Sequence, residues 1–259
     1  MTFFPLPALN DNYIWITENS EQKKIWAVDP GDASVVKDYC QNHGVTLAGI
    51  ILTHHHWDHT DGVPELRNSY DCPVYGPESL APDKVTVPVR QGDTITINQV
   101  ELMAIATPGH TLDHLCYFGE PEHDAPILLC GDTLFRGGCG RLFEGSPAQM
   151  LNAMTRLREL PGDTRVYGTH EYTLANYRFA KAIDPDNQAL EKADQDAQAL
   201  RQDQQVTLPS TIALEVQTNP FFRFDVPHVI DHAAQLLNET PASDLVSAFA
   251  QIRRAKDGF

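Results

Sequence analysis

One stretch constrains this chain more than any other. Gly49-Ile50-Ile51-Leu52 runs without a polar side chain, and Thr53-His54-His55-His56-Trp57-Asp58-His59 follows it directly. A short apolar run closed by a polar cluster reads as a buried strand, and strand ends are where α/β folds build their sites. Four imidazoles and a carboxylate within seven positions are poor neighbours on their own. Neutral imidazoles offer one another few hydrogen bonds, and protonated ones repel. A bound cation removes both problems, because neutral imidazole and ionised carboxylate are the donors that zinc and its first-row neighbours prefer. In extended backbone His54 and His56 face one way and His55 the other. Asp58 and His59 follow as the chain turns toward Thr60-Asp61-Gly62. Two pairs of ligands imply two metals, with His55 left in a structural role. The pattern is not the helical His-Glu-x-x-His of zinc proteases.

Three later stretches repeat this arrangement. The apolar runs at 100–106, 127–130 and 165–167 end in Thr107-Pro108-Gly109-His110-Thr111, Gly131-Asp132-Thr133 and Gly168-Thr169-His170. One His or Asp at a strand end is an ordinary turn former or cap. Four such sites behind four separate strands have no structural reason to coincide unless something binds there. His110, Asp132 and His170 therefore join the first cluster as ligand candidates.

The surrounding elements are consistent with a mixed α/β fold. Strands are expected over 13–16, 25–28, 49–52 and 73–75, with helices over 33–43 and 63–70, in the order ββαβαβ. A meander of strands follows between 85 and 106, then strands over 115–118, 127–130 and 165–167, and a helix over 147–159. The segment 136–145 reads as a Gly-rich loop. Beyond Leu174 strand signals nearly vanish, and helices are expected over about 189–200, 227–237 and 242–256, the first with an acidic, amide-rich face that is solvated.

Charge and cysteine content narrow the partners. Nineteen basic against thirty-five acidic residues give a net charge of −16, which opposes nucleic acid or an anionic membrane as a partner. An anionic substrate would need a local basic patch. The five cysteines are odd in number and lack Cys-x-x-Cys spacing, as expected of small buried side chains in a reducing cytosol. The first residues carry no basic stretch and no run reaches membrane-spanning length, so a cytoplasmic protein is expected, and a monomer.

The four motifs together resemble the metallo-β-lactamase superfamily. Within it, Gly138-Cys139-Gly140-Arg141-Leu142-Phe143-Glu144-Gly145, His170-Glu171-Tyr172-Thr173, Asn219-Pro220-Phe221-Phe222-Arg223 and Arg253-Arg254-Ala255-Lys256-Asp257 are similar to the hydroxyacylglutathione hydrolases, the glyoxalase II family. The resemblance implies an αββα sandwich over 1–172 as the catalytic domain and a small helical, substrate-binding domain over 173–259. It places His54, His56 and His110 on one divalent metal and Asp58, His59 and His170 on another, with Asp132 and a hydroxide bridging them. Zinc is the expected metal, and iron and manganese suit the same donors. Asp58 and Asp132 are also the expected catalytic residues. The implied reaction is hydrolysis of S-D-lactoylglutathione and related S-acylglutathiones to glutathione and the free acid, the second step of methylglyoxal detoxification.

Glutathione brings carboxylates to an acidic protein, so a local cation cluster is required. Arg141, Arg253 and Lys256 are the candidates, with Tyr172 offering a hydroxyl to the peptide part. In the family the loop cation is often Lys, with an aromatic hydroxyl two positions later; here those positions hold Arg141 and Phe143. His114 and Asp29 are expected to hydrogen-bond ligand imidazoles and fix their tautomers. Two other readings compete: another dinuclear-metal hydrolase of the superfamily, such as a lactonase, and a non-enzymatic metal-binding module. No Gly-x-Ser-x-Gly elbow supports a serine hydrolase.

Overall fold

The first strand is one the sequence hides. β1 (Phe4–Ala8) carries Pro5 and Pro7, which cannot donate to a ladder, and it is tolerated because it lies at a sheet edge. After it come β2 (Asn12–Asn19), β3 (Lys24–Val28), α1 (Ala33–His43), β4 (Thr46–Ile51), the single turn α2 (Trp57–Thr60), α3 (Val63–Tyr70), β5 (Val74–Pro77) and β6 (Val87–Val89). This computed structural model describes residues 1–259. α1 starts where the Asp32 side chain accepts from the Ser34 amide and stops at Gly44, whose φ of 65° suits a residue without Cβ. The six strands form one sheet in chain order, antiparallel from β1 to β3 and parallel from β3 to β6.

The second sheet is built from β7 (Thr94–Ile97), β8 (Val100–Ala106), β9 (Leu115–Gly119) and β10 (Ile127–Gly131) as an antiparallel meander. Where a plain Gly-rich loop was expected, the chain makes a two-residue hairpin of β11 (Leu134–Phe135) and β12 (Gly138–Cys139). After α4 (Pro147–Arg158), β13 (Arg165–Gly168) pairs with β10 in parallel. The remainder is α5 (Thr173–Ile183), α6 (Gln188–Gln202), β14 (Ser210–Thr211), α7 (Ile212–Thr218), α8 (Pro227–Leu237) and α9 (Leu245–Asp257). It is helical apart from β14, which returns to the edge of the second sheet beside β13.

The two sheets face one another across a core that includes Trp15, Val28, Ile51, Leu102, Tyr117 and Tyr167. The outer face of the first sheet is covered by α1 and α3 through Val36, Cys40, Val63 and Leu66. The second sheet's outer face meets α4 and the C-terminal helices in one continuous core, so the architecture is an αββα sandwich with a helical appendage. Phe179, Phe221 and Phe249 of that core are fully buried, each contributing roughly 1.5–3 kcal/mol by leaving water. The appendage is thereby packed onto the sandwich at the end where β4, β8, β10 and β13 release their polar residues. No helix is long and apolar enough to cross a membrane.

Candidate active site

Each strand end delivers its ligand candidate to the same interior point. His54, His56 and His110 place one ring nitrogen each within 4.8 Å of one another; Asp58, His59 and His170, and also His54, His59 and Asp132, do the same with ring nitrogens and a carboxylate oxygen. Asp132 stands between the sets, with carboxylate oxygens 3.4 Å from His59 Nε2, 3.4 Å from His110 Nε2 and 3.3 Å from His170 Nε2. Gly140 permits this closeness: a Cβ there would collide with the Asp132 carbonyl and crowd His110.

The outer ring nitrogens are tied down, which decides the tautomers. His54 Nδ1 lies 3.0 Å from Thr53 Oγ1. His110 Nδ1 donates to the Arg141 carbonyl at 2.9 Å, and His170 Nδ1 donates to the Asp11 carboxylate at 2.7 Å. His54 Nε2, His59 Nε2 and Asp132 Oδ1 are buried with no hydrogen-bond partner in the protein. Each would cost about 1–3 kcal/mol if left so, and a cation among them satisfies all three. The donor set is nitrogen and carboxylate oxygen, with His56 Nδ1 3.0 Å from His110 Nε2. The cluster is a divalent-metal site.

Its electrostatics split between the two sets. Burial lowers His54 well below an ordinary imidazole and lowers His56 and His110 as well. For His59 and His170 burial acts the same way but is outweighed, chiefly by the Asp132 charge, so both are raised. Asp132 is lowered, despite its burial, by those two imidazoles. Metal ligands must be deprotonated, so loading the His59 and His170 side displaces protons.

Neither of the two expected supporting residues hydrogen-bonds a ligand imidazole, though Asp29 stands beside one. Asp29 lies 3.0 Å from His59 Nδ1, close enough to pair but not aligned as a hydrogen bond. His114 touches no ligand imidazole through a hydrogen bond. The stretch 110–114 is a bend that leaves the His114 ring 6.5 Å from that of His110 without a hydrogen bond between them. His114 Nε2 instead accepts the Asp132 backbone N–H at 3.1 Å, and its ring stacks on His54 at 4.8 Å. His55 faces away, bridging Asp113 at 3.0 Å and Glu144 at 3.2 Å. Sequence reasoning missed Asp11 and Asn12. The first holds His170, and Asn12 donates to the Asp58 carboxylate at 3.0 Å.

A cavity of about 1010 Å³ opens onto this cluster. Its walls bring together all five of the expected substrate residues, Arg141, Phe143, Tyr172, Arg253 and Lys256, and add Arg178 of α5 and Trp57. Tyr172 stacks on His170 at 4.7 Å with the rings nearly parallel. Arg253 is only 4% exposed; it donates to the Cys139 carbonyl at 2.9 Å and pairs with Asp257 at 3.0 Å. Lys256 donates to the Ala175 carbonyl at 3.1 Å. Arg254 turns outward to Glu239.

Comparison with known proteins gives two family matches along the chain. Residues 42–170 match the metallo-β-lactamase superfamily and 171–259 match the hydroxyacylglutathione hydrolase C-terminus. A hydroxyacylglutathione hydrolase of Marinomonas sp. (strain MWYL1) is 55% identical over 259 residues, the whole of both chains. The chain belongs to the hydroxyacylglutathione hydrolase family. A second member, from Hahella chejuensis, is 46% identical over 98% of each chain. Among solved structures, ETHE1 from Myxococcus xanthus overlays with a TM-score of 0.66 at 25% identity, covering 98% of this chain and 99% of its own.

Against the family pattern, the Phe143 position supplies surface rather than a hydroxyl. The ring is 64% exposed and stands edge-on to His56 at 5.6 Å and His110 at 5.2 Å. Arg141 reaches into the cavity mouth from the neighbouring position, 3.8 Å from Asp257.

Proposed function

We propose that the chain is a thioester hydrolase that cleaves S-D-lactoylglutathione and related S-acylglutathiones to glutathione and D-lactate or the corresponding acid. The observation that carries this reading is the junction of a cation-lined cavity with a divalent-metal cluster in a chain of net charge −16. Anionic substrate is drawn only where Arg141, Arg253 and Lys256 overcome the mean field.

In this reading His54, His56 and His110 hold one metal, Asp58, His59 and His170 a second, and Asp132 both. Zinc is the metal proposed. Two such cations make hydroxide available at neutral pH and polarise a carbonyl. Asp58 and Asp132, facing the same point, orient the attacking water, and the Asp58 carboxylate takes its proton as its oxygen adds to the thioester carbon. Asn12 and His170 hold Asp58 and its surroundings in place. Arg253 and Lys256 anchor the peptide part, with Tyr172 beside it, so that the carbonyl stays over the cluster. The thiolate then leaves without a dedicated acid, since a thiol of pKa near 8.5 is a good leaving group.

The metal cluster belongs to residues 1–172 and much of the cavity wall to 173–259, which supports a catalytic and a substrate-binding part. All five cysteines are free and buried, in keeping with a reducing cytoplasm. The test is the loss of S-lactoylglutathione absorbance with metal-loaded protein, beside lactone and phosphodiester controls. Thioester turnover well above both controls is expected; none, or faster lactone cleavage, overturns the reading.

A further inference from the structure

Four cations line the cavity, and three of them have partners. Arg253 holds Cys139 and Asp257, Lys256 holds Ala175, and Arg141 lies near Asp257. Arg178 is exposed and makes no hydrogen bond or ion pair. It forms part of the wall of the main cavity and of a second cavity of about 570 Å³. It is placed there by α5, the helix that starts directly behind the ligand candidate His170. Tyr172, Ala175 and Arg178 recur every three residues along that helix, all on the cavity wall. Six residues of helix advance about 9 Å, close to the roughly 10 Å that three extended residues span. Tyr172 is stacked on His170 at the metal end, so Arg178 lies about 9 Å farther along the helix from that end.

Glutathione carries its sulfur on the central residue and a carboxylate on each arm. The γ-linkage lengthens the glutamyl arm by two methylenes relative to an ordinary peptide. The nearer pair Arg253 and Lys256 suits the shorter glycyl arm, and a second carboxylate on the longer arm needs a cation farther out. We propose that Arg178 binds the γ-glutamyl carboxylate and so selects thioesters of the full tripeptide over those of shorter thiols. This rests on the glutathione-thioester reading. The charge balance agrees, because away from the metal cluster, where Asp58 and Asp132 lie, four cations face one acid, Asp257, along the cavity lining. Arg178 and Arg141 also help, after burial and Arg253, to push Lys256 down, a repulsion that a bound anion relieves.

The experiment compares Arg178→Ala and Arg178→Lys with the parent chain, titrating S-methylglutathione and S-methyl-cysteinylglycine, which lacks the glutamyl arm. Steady-state kinetics with S-lactoylglutathione run beside it. Arg178→Ala should weaken S-methylglutathione binding and raise KM about tenfold, with kcat and metal content unchanged. Binding of the truncated ligand should not move, and Arg178→Lys should recover part of the loss. Equal weakening of both ligands, or no weakening of either, overturns the assignment. Absence of S-lactoylglutathione turnover by the parent chain would count against the proposed function alone, since the titration still reports on Arg178.

Discussion

The carboxylate of Asp29 stands 3.0 Å from Nδ1 of His59 and also accepts the Thr53 amide at 2.8 Å and hydroxyl at 2.7 Å. Through Thr53 Oγ1 it reaches Nδ1 of His54. One acid, only 2% exposed, therefore orients an imidazole in each ligand set. It does so from a backbone φ of 52°, a conformation few non-glycine residues adopt.

Removing that acid should loosen both metals at once. Asp29→Ala is expected to lower metal affinity roughly 10–100-fold, read by competition against a chromogenic chelator. Asp29→Asn, which keeps the acceptor for Thr53, should lose less. Unchanged affinity in the alanine variant would dismiss the role.

Asp132 makes a stricter prediction. Its carboxylate contacts His59, His110 and His170, so Asp132→Ala should drop the metal content from two ions per chain to one or none. Elemental analysis after gel filtration measures this. A variant that retains both ions would refute the bridging scheme, and a parent chain that never exceeds one ion would refute the two-metal count.

Arg253 should affect binding and stability together. Its guanidinium lies over the Phe221 ring at 4.8 Å and supports the Cys139 carbonyl, while its Nε has no partner. The residue also lines the cavity. Arg253→Ala should raise KM with metal content intact. It should also cost about 1–3 kcal/mol of stability by stranding the Cys139 carbonyl, seen as a lowered melting temperature. A KM effect without any loss of stability would show that the buried contacts are unimportant.

The ligand positions were legible because each lies within a few residues of the strand that carries it, so local pattern alone locates them. Asp11 was not, because it sits in the turn before β2 and meets His170 159 residues away in sequence. Arg178 was one charge among several on an unrecognised helix, and nothing local separates a cavity-facing arginine from a solvated one. β11, β12 and β14 span two residues each, too short for alternation to show. His114 was expected beside the ligands and lies there, but its Nε2 meets the Asp132 backbone, 18 residues on, rather than an imidazole, a contact no local pattern shows.

Lys256 links substrate affinity to pH. Burial, then the charges of Arg253, Arg178 and Arg141, bring its ammonium down from the usual 10.5 to about 8. An anionic substrate binds best while that charge is present, so KM should rise as pH passes upward through about 8. Lys256→Arg, charged throughout this range, should flatten the rise. Folding responds with the opposite sign. Between about 8 and 10.5 the unfolded chain holds a proton that the folded chain has released, and stability increases with pH wherever the unfolded state binds more protons. The Lys256 contribution to unfolding free energy should therefore grow across that window, while substrate affinity falls. Half of this side chain remains near solvent, so the stability change should be small beside the change in KM. Paired KM and urea-unfolding profiles of the parent chain and Lys256→Arg, taken from pH 7 to 10, test both slopes. A KM that rises equally in the two proteins would remove Lys256 from substrate binding.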